Sequence, residues 1–370
     1  MTKNNKLENI IYNPFNNNVS EGVSIFTSCM NREKFLEEAL ESWVDIKEVN
    51  EIIIVDWSSD KSLVPLVNKF QSEKIFLAIV TGQDKFMLSC AYNLAARLTT
   101  KTKIFKVDCD IKISNNFFEK HILSPGTFFS GNWEKARNDN EMHLNGNVFL
   151  YREDYFKING FNEYLRTYGW DDSDLYLRLQ SVGLEKKDID INTLVHMQHE
   201  SRTQFIKISE ELKNINDTDH SVLHTSLNRN ISYFLPKWSK DNQMLEFSIK
   251  SVDNHTLSCY QVGEDQNFIS EEIFLESEKR AVNEMLIKSG IKIPWEIFHA
   301  IEHAEIIKLY NLYLSNNPSG VSSYLEVLSK KYLLRKTKVI INIRNIIYLL
   351  YQYYTLSVAQ LKHVLKYLRK

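Results

Sequence analysis

Three clusters of polar side chains in this 370-residue sequence have types and spacings that support chemistry. The first is Asp108-Cys109-Asp110, at the end of the apolar run IFKVDCD (104–110). Carboxylates at i and i+2 of an extended segment point to one side. They suit a divalent cation bridging the phosphates of a nucleotide, because a hard cation takes oxygen ligands and offsets charge on a departing diphosphate. The second is Gly169-Trp170-Asp171-Asp172-Ser173-Asp174-Leu175, with Arg178 one turn further on. Acids at a helix start stabilise its dipole by about 0.3–1 kcal/mol. A carboxylate held beside an aromatic face is also what deprotonating a sugar hydroxyl requires, and the segment is read as a general base at the mouth of a cleft. The third is His196-Met197-Gln198-His199. A lone histidine is more often structural, but two at i and i+3 suit a metal where a carboxylate site lies nearby, and Mn²⁺ accepts imidazole and carboxylate together.

The elements that must position these residues follow from periodicity. VSIFTS (23–28) is a buried-type strand, and Phe35, Leu36, Ala39, Leu40 and Trp43 then fall at helical spacing. EIIIVD (51–56), 75–80 and 104–110 read as three further strands, with helices over 63–70 and 87–98 between them. Strands alternating with helices at these lengths imply an α/β fold with a mostly parallel sheet flanked by helices, whose ligands sit at the carboxyl ends of the strands. Thr27, Ser28, Asp56, Ser58, Asp108 and Asp110 stand at those ends. Short strands at 128–131 and 147–151, helices near 154–158 and 172–182, and a strand over 193–197 come next. A linker is expected over 213–219, strands in 231–262 and helices over 270–370, a smaller mixed and then helical C-terminal region.

With 43% hydrophobic and 25% charged residues the chain is globular. Ten of its 45 basic residues and none of its 47 acidic ones lie in 327–370, so that tail carries about +10 and the remainder about −12. An acidic body disfavours nucleic-acid binding. The tail, rich in Ile, Leu and Tyr, fits either a helix lying on a membrane surface or one packed on the acidic body or on a second subunit. Cys29, Cys90, Cys109 and Cys259 form no C-x-x-C pair, which argues against a disulfide framework or a thiolate zinc site. A reducing compartment and the absence of an apolar signal segment in the first residues lead us to expect a cytoplasmic protein, peripheral at the inner face of the membrane if the tail binds lipid.

Asn145-Gly146-Asn147-Val148-Phe149, Ile158-Asn159-Gly160-Phe161-Asn162-Glu163 and the 169–175 run follow one another in an order and spacing that, with the D-x-D, are specific. In these motifs the chain resembles nucleotide-sugar glycosyltransferases of the GT-A fold, in the family-two-like lineage, and most of all the galactosyltransferase and chondroitin-polymerase type. The resemblance spans about 22–205 and implies a Rossmann-like GT-A domain over 22–215; the polar, Asn-rich 1–21 reads as a leader and 216–370 as a separate C-terminal region. The resemblance further implies that Thr27 and Arg32 contact the nucleotide. Asp56 would bond the base or ribose with Ser58 nearby, and Asn93 and Asp108 would lie against the nucleotide-sugar. Asp110 and His199 would hold Mn²⁺ or Mg²⁺, with His196 a second candidate. Trp170 would stack on the acceptor, Asp171, where the family has Glu, would hold an acceptor hydroxyl, and Asp172 would be the catalytic base. The two glycines that the family places between the tryptophan and the acidic pair are missing here.

The implied reaction moves a sugar from a UDP-sugar to a hydroxyl of a glycan or glycoconjugate, with inversion. Two other functions compete with it. One is a carbohydrate- or nucleotide-binding module that keeps the fold without catalysis. The other is a sugar nucleotidyltransferase, which would carry a Gly-rich phosphate loop where Ser28-Cys29-Met30-Asn31-Arg32 has no glycine.

Overall fold

The computed structural model describes residues 19–199, 215, 217–235, 237–262, 265, 267 and 269–333. The leader through 18, most of the expected linker before 217, and the basic tail from 334 lie outside the described residues.

Strands β1 (Ser20–Cys29), β2 (Val49–Trp57), β3 (Ile75–Val80) and β4 (Lys101–Lys106) alternate with helices α1 (Glu33–Trp43), α2 (Val64–Lys69) and α3 (Leu88–Leu98). There follow β5 (Ile111–Ile113), α4 (Phe117–Lys120), β6 (Thr127–Ser130), α5 (Asp139–Met142), β7 (Val148–Tyr151), α6 (Arg152–Lys157), α7 (Asp171–Ser181), β8 (Glu185–Asp188) and β9 (Leu194–His196). The remaining elements are α8 (Asp217–Phe234), β10 (Phe247–Ser251), β11 (Thr256–Gln261), α9 (Glu271–Lys288), α10 (Trp295–Ala300), α11 (His303–Leu314) and α12 (Pro318–Leu333).

Among the described residues nine strands form one sheet in the order β10-β11-β3-β2-β1-β4-β7-β6-β8. The block β11-β3-β2-β1-β4 is parallel, while β7 runs against both β4 and β6. The sheet is therefore mostly parallel with helices beside it, as the periodicity leads us to expect. Because side chains alternate across a strand, Ile25, Ile52 and Ile54 enter one apolar layer with Leu36, Leu40 and Trp43 of α1. Phe26, Ile53 and Val55 enter the other, with Leu94 of α3 and Leu175 of α7. Burial on both faces explains why these strands read as continuous apolar runs.

Three expectations need correction. β4 ends at Lys106, and Cys109 and Asp110 lie in a turn, so 104–110 is not one strand. That turn is held by the Met197 N–H, which donates to the Asp110 carbonyl (2.9 Å), and it starts the separate two-stranded sheet β5-β9. Residues 231–234 are the last turn of α8 rather than a strand. The strands expected within 231–262 exist as β10 and β11, but they extend the main sheet beside β3.

The described residues divide into two compact units, those within 1–206 and 237–270 and those within 207–236 and 271–370. That partition differs from the boundary at 215/216, because β10 and β11 return to the first unit. In the second, α8 packs on α9 through Ser226, Arg229 and Asn230, all bonded to Glu284. Among the described residues no helix is long and apolar enough to cross a membrane.

Candidate functional site

The β5-β9 pairing sets Ile111 opposite His196 and so delivers Asp110 to the two histidines. Nε2 of His199 lies 2.9 Å from Oδ2 of Asp110. One ligand atom each from Asp110, His196 and His199 fall within 4.8 Å of one another. The Nδ1 of His196 lies 2.6 Å from Oδ1 of Asn140, whose amide donates to the His196 carbonyl at 3.0 Å. Nδ1–H is then the donor, which leaves the Nε2 lone pair for a ligand, the usual way an outer residue orients a metal-binding imidazole. His143 stacks on His196 at 4.7 Å, and burial holds the His196 pKa down to about 4, so the ring is neutral at pH 7. One carboxylate and two imidazoles form a donor set that fits Mn²⁺. Phe35 of α1 sets its ring against His199 (5.5 Å), and the Arg32 guanidinium lies over Phe35 (5.4 Å), so Arg32 stands beside this cluster.

A second group of charges gathers where β4, β7 and α7 converge. Nζ of Lys106 is 2.7 Å from Oδ1 of Asp108, 2.7 Å from the Gly146 carbonyl and 3.8 Å from Oδ1 of Asp172. Tyr92 donates to the same Asp108 oxygen (2.6 Å), and its ring lies under the ammonium at 4.4 Å. Lys106 is 1% exposed, yet its pKa is raised: burial opposes the charge, but Asp108 and Asp172 outweigh it. Burial pushes the carboxyls of Asp171 and Asp172 up, and their proximity adds to it at Asp171, while Lys106 pulls the other way. Asp171 is 6% exposed, whereas Asp172 keeps 21% of its side chain exposed, so Asp172 is the more accessible of the two.

The start of α7 depends on an unusual backbone. Gly169 (φ 82°) and Trp170 (φ 69°) are both left-handed, a conformation that strains a bulky residue and that half-buries the Trp170 ring just before Asp171. Further along the helix, Asp174 accepts from Arg178 (2.7 Å), and Arg178 donates to the carbonyls of Ile158 and Gly160 (2.9 and 2.6 Å). The I-N-G-F segment is thereby tied to α7.

Asn93 serves the same segment. Its amide donates to the Phe161 carbonyl and to Glu163 (2.9 and 2.8 Å), and its oxygen accepts from Tyr155 and the Phe161 N–H (2.7 and 2.8 Å). It is fully enclosed, so the expectation that it lies against the nucleotide-sugar is corrected: it holds a loop in place. Thr27 is also fully enclosed, which removes its hydroxyl from direct ligand contact. Asp56 is buried at the end of β2, where it accepts from the Ser59 N–H (3.0 Å) and burial raises its pKa. Ser58, with φ 57°, donates to the Val80 carbonyl and accepts from the Gln83 N–H, both at 3.0 Å.

Asp108, Asp171 and Asp172 are thus brought together around Lys106, and Asp110, His196 and His199 offer ligand atoms within 4.8 Å of one another. Sequence reasoning passed over Lys106, Asn140, His143 and Tyr168. The hydroxyl of Tyr168 lies in the field of all four site aspartates, and its pKa is pushed up to about 12 by burial first and by those charges next. A signal for Lys106 existed: it precedes Asp108 by two residues, the interval that puts both on one side of an extended chain.

Residues 24–124 match the family model for glycosyl transferase family 2, and residues 132–200 match that for the N-terminal domain of galactosyltransferase. No curated protein matches the chain. Among solved structures, the catalytic domain of Drosophila β1,4-galactosyltransferase 7, solved with xylobiose, is 13% identical, with 66% of this chain and 95% of that one covered and a TM-score of 0.41. The mannosyltransferase PcManGT of Pyrobaculum calidifontis, in complex with GDP-Man and Mn²⁺, is 14% identical over 86% of this chain and 90% of that one, with a TM-score of 0.43. Glucosyl-3-phosphoglycerate synthase of Mycobacterium tuberculosis, with Mn²⁺, UDP and phosphoglyceric acid, is 11% identical over 49% and 72%, with a TM-score of 0.38.

Proposed function

We propose that this chain, a glycosyltransferase by its matched stretches 24–124 and 132–200, transfers a hexose from a UDP-sugar to a hydroxyl of a glycan or glycoconjugate with inversion. The observation that carries the reading is the pairing of a three-ligand cluster, Asp110, His196 and His199, with a separate, partly open carboxylate, Asp172. Both stand beyond the carboxyl end of β4, on the side where α/β sheets bind ligands.

Asp110, His196 and His199 would hold Mn²⁺ or Mg²⁺, which supplies neutralisation of the charge on the departing diphosphate. Arg32, Asp56 and Ser58 frame the nucleotide end and Asp108 the ribose or donor sugar. Trp170 offers a face to the acceptor sugar, and Asp171 supports an acceptor hydroxyl beside it. Asp172 takes the proton of that hydroxyl as the acceptor oxygen bonds to the anomeric carbon. The bond from that carbon to the diphosphate oxygen breaks at the opposite face, and its electron pair leaves with UDP. A single displacement needs one base and inverts the configuration.

The test is UDP release from a panel of UDP-sugars with Mn²⁺, for the wild type and for Asp172→Asn. Loss of the base should lower turnover by about 10²–10⁴-fold while UDP binding persists. Full activity in Asp172→Asn would overturn the assignment. The basic 327–370 stretch supports placement at an anionic membrane surface. Flotation of the chain with liposomes should then be lost on truncation after residue 333, and flotation that survives truncation would exclude the tail as anchor.

A further inference from the structure

We propose that Lys106 is a positioning residue of the reaction: one buried ammonium that holds the base Asp172 at a fixed spacing from the donor-side carboxylate Asp108 and keeps it ionised between turnovers. This rests on the reading of Asp172 as the base. Lys106 ends β4 among apolar neighbours, with Val148 opposite it in β7 and the rings of Tyr92 and Phe161 at 4.4 and 5.9 Å. Withdrawing an ammonium from water costs several kcal/mol, so a lysine here needs strong partners. Two of its three N–H bonds serve Asp108 and the Gly146 carbonyl. That leaves one for Asp172, whose Oδ1 has no hydrogen-bond partner among the described residues and lies 3.8 Å away. The groups that face Asp172 are Lys106 and Asp108 from the end of β4, Asp171 beside it, and the hydroxyls of Tyr168 and Tyr176. Among the described residues Lys106 is the one cation in that set. Without it, Asp108, Asp171 and Asp172 would repel one another, and a proton would settle on the carboxylate that must be free to accept one.

The experiment is the pH profile of kcat for the full chain with a UDP-sugar and Mn²⁺, in the wild type, Lys106→Gln, Lys106→Arg and Asp172→Asn. Lys106→Gln keeps a donor for the Gly146 carbonyl but drops the charge. Its acidic limb should move to higher pH by about 1–3 units, the shift that an opposite charge at this range produces, and kcat at pH 7 should fall about 10-fold or more. Lys106→Arg should keep the wild-type limb even where its bulk slows the reaction. An unshifted limb in Lys106→Gln, with Asp172→Asn inactive, overturns the role of the lysine alone. Full activity in Asp172→Asn instead overturns the base itself, and the two failures are therefore distinct. Near-UV circular dichroism and the midpoint of urea unfolding accompany each variant. Failure of both Lys106→Gln and Lys106→Met to fold would make Lys106 a folding residue and overturn the proposal as well.

Discussion

Gly146 is where the geometry of the site can be perturbed with a single methyl group. It lies between a 3-10 turn (His143–Gly146) and β7, and its backbone is not left-handed, so its chain path does not require glycine. Space does. A Cβ built there meets Oδ2 of Asp108 at 2.8 Å, and Oδ2 of Asp172 and Nζ of Lys106 at 3.1 Å each. An ordinary contact is about 3.4 Å, so Asp108 must retreat by about 0.6 Å and Asp172 by about 0.3 Å. Asp108 resists, being held by Tyr92 and Lys106 at 2.6 and 2.7 Å. Overpacking of this kind costs about 1–3 kcal/mol of stability. A displacement of about 1 Å can cost about 10²-fold in rate, so half of that should cost about 10-fold. Gly146→Ala should therefore melt several degrees lower and turn over about 10-fold more slowly. Gly126→Ala is the control. Gly126 has φ 77° with nothing within 4 Å of the added carbon, so it should lose about 1–2 kcal/mol through backbone strain and keep wild-type kcat. Thermal unfolding and initial-rate assays on the two variants decide the matter. Wild-type kcat in Gly146→Ala, or equal rate losses in both, would refute the argument that the charges converge on this point.

Arg178→Met removes the donors to Ile158 and Gly160 and leaves Asp174 buried without its cation, so urea unfolding should show a loss of about 3–5 kcal/mol. A loss under about 1 kcal/mol would show that the clamp is dispensable. Trp170→Gly relieves a left-handed backbone (φ 69°) while removing the aromatic face; the acceptor KM should rise with UDP affinity unchanged, and an unaltered acceptor KM would remove the stacking role. His121 accepts from the Asp190 N–H through Nε2 (2.8 Å) and bonds the Phe117 carbonyl through Nδ1 (2.7 Å), so the fold requires the neutral ring. Burial lowers its pKa from the ordinary 6.5, so the unfolded chain takes up the proton first. Its contribution to stability is complete above pH 6.5 and is lost as pH falls through the folded value. The melting temperature should decline below that pH, and less steeply in His121→Gln; identical slopes would contradict the assignment.

The parallel core was legible because β1, β2 and β3 are short apolar runs buried on both faces and separated by helices with clear spacing. β10 and β11 were visible as strands but not as sheet neighbours of β3, since pairing at a sequence separation of about 180 residues leaves no local trace. ISYF (231–234) is apolar enough to read as a strand and is helix, the ordinary ambiguity of short apolar runs. The aspartates and histidines of the site were visible from residue type and spacing. Lys106 left only its two-residue interval to Asp108 as a trace, because an isolated lysine in a strand ordinarily faces water, and the three-dimensional convergence of Asp108, Gly146 and Asp172 is what encloses it. Asn93 shows the converse: the resemblance implied a ligand contact, while the hydrogen bonds of its side chain are spent inside the protein.

The central claim is that the Asp110, His196 and His199 cluster holds the metal through which a nucleotide diphosphate binds. Titration calorimetry of UDP into the wild type and Asp110→Ala, each with and without Mn²⁺, tests it most directly. The wild type should bind UDP in a Mn²⁺-dependent way, and that binding should be lost in the variant. UDP binding that ignores Mn²⁺, or that survives in Asp110→Ala at wild-type strength, would contradict it.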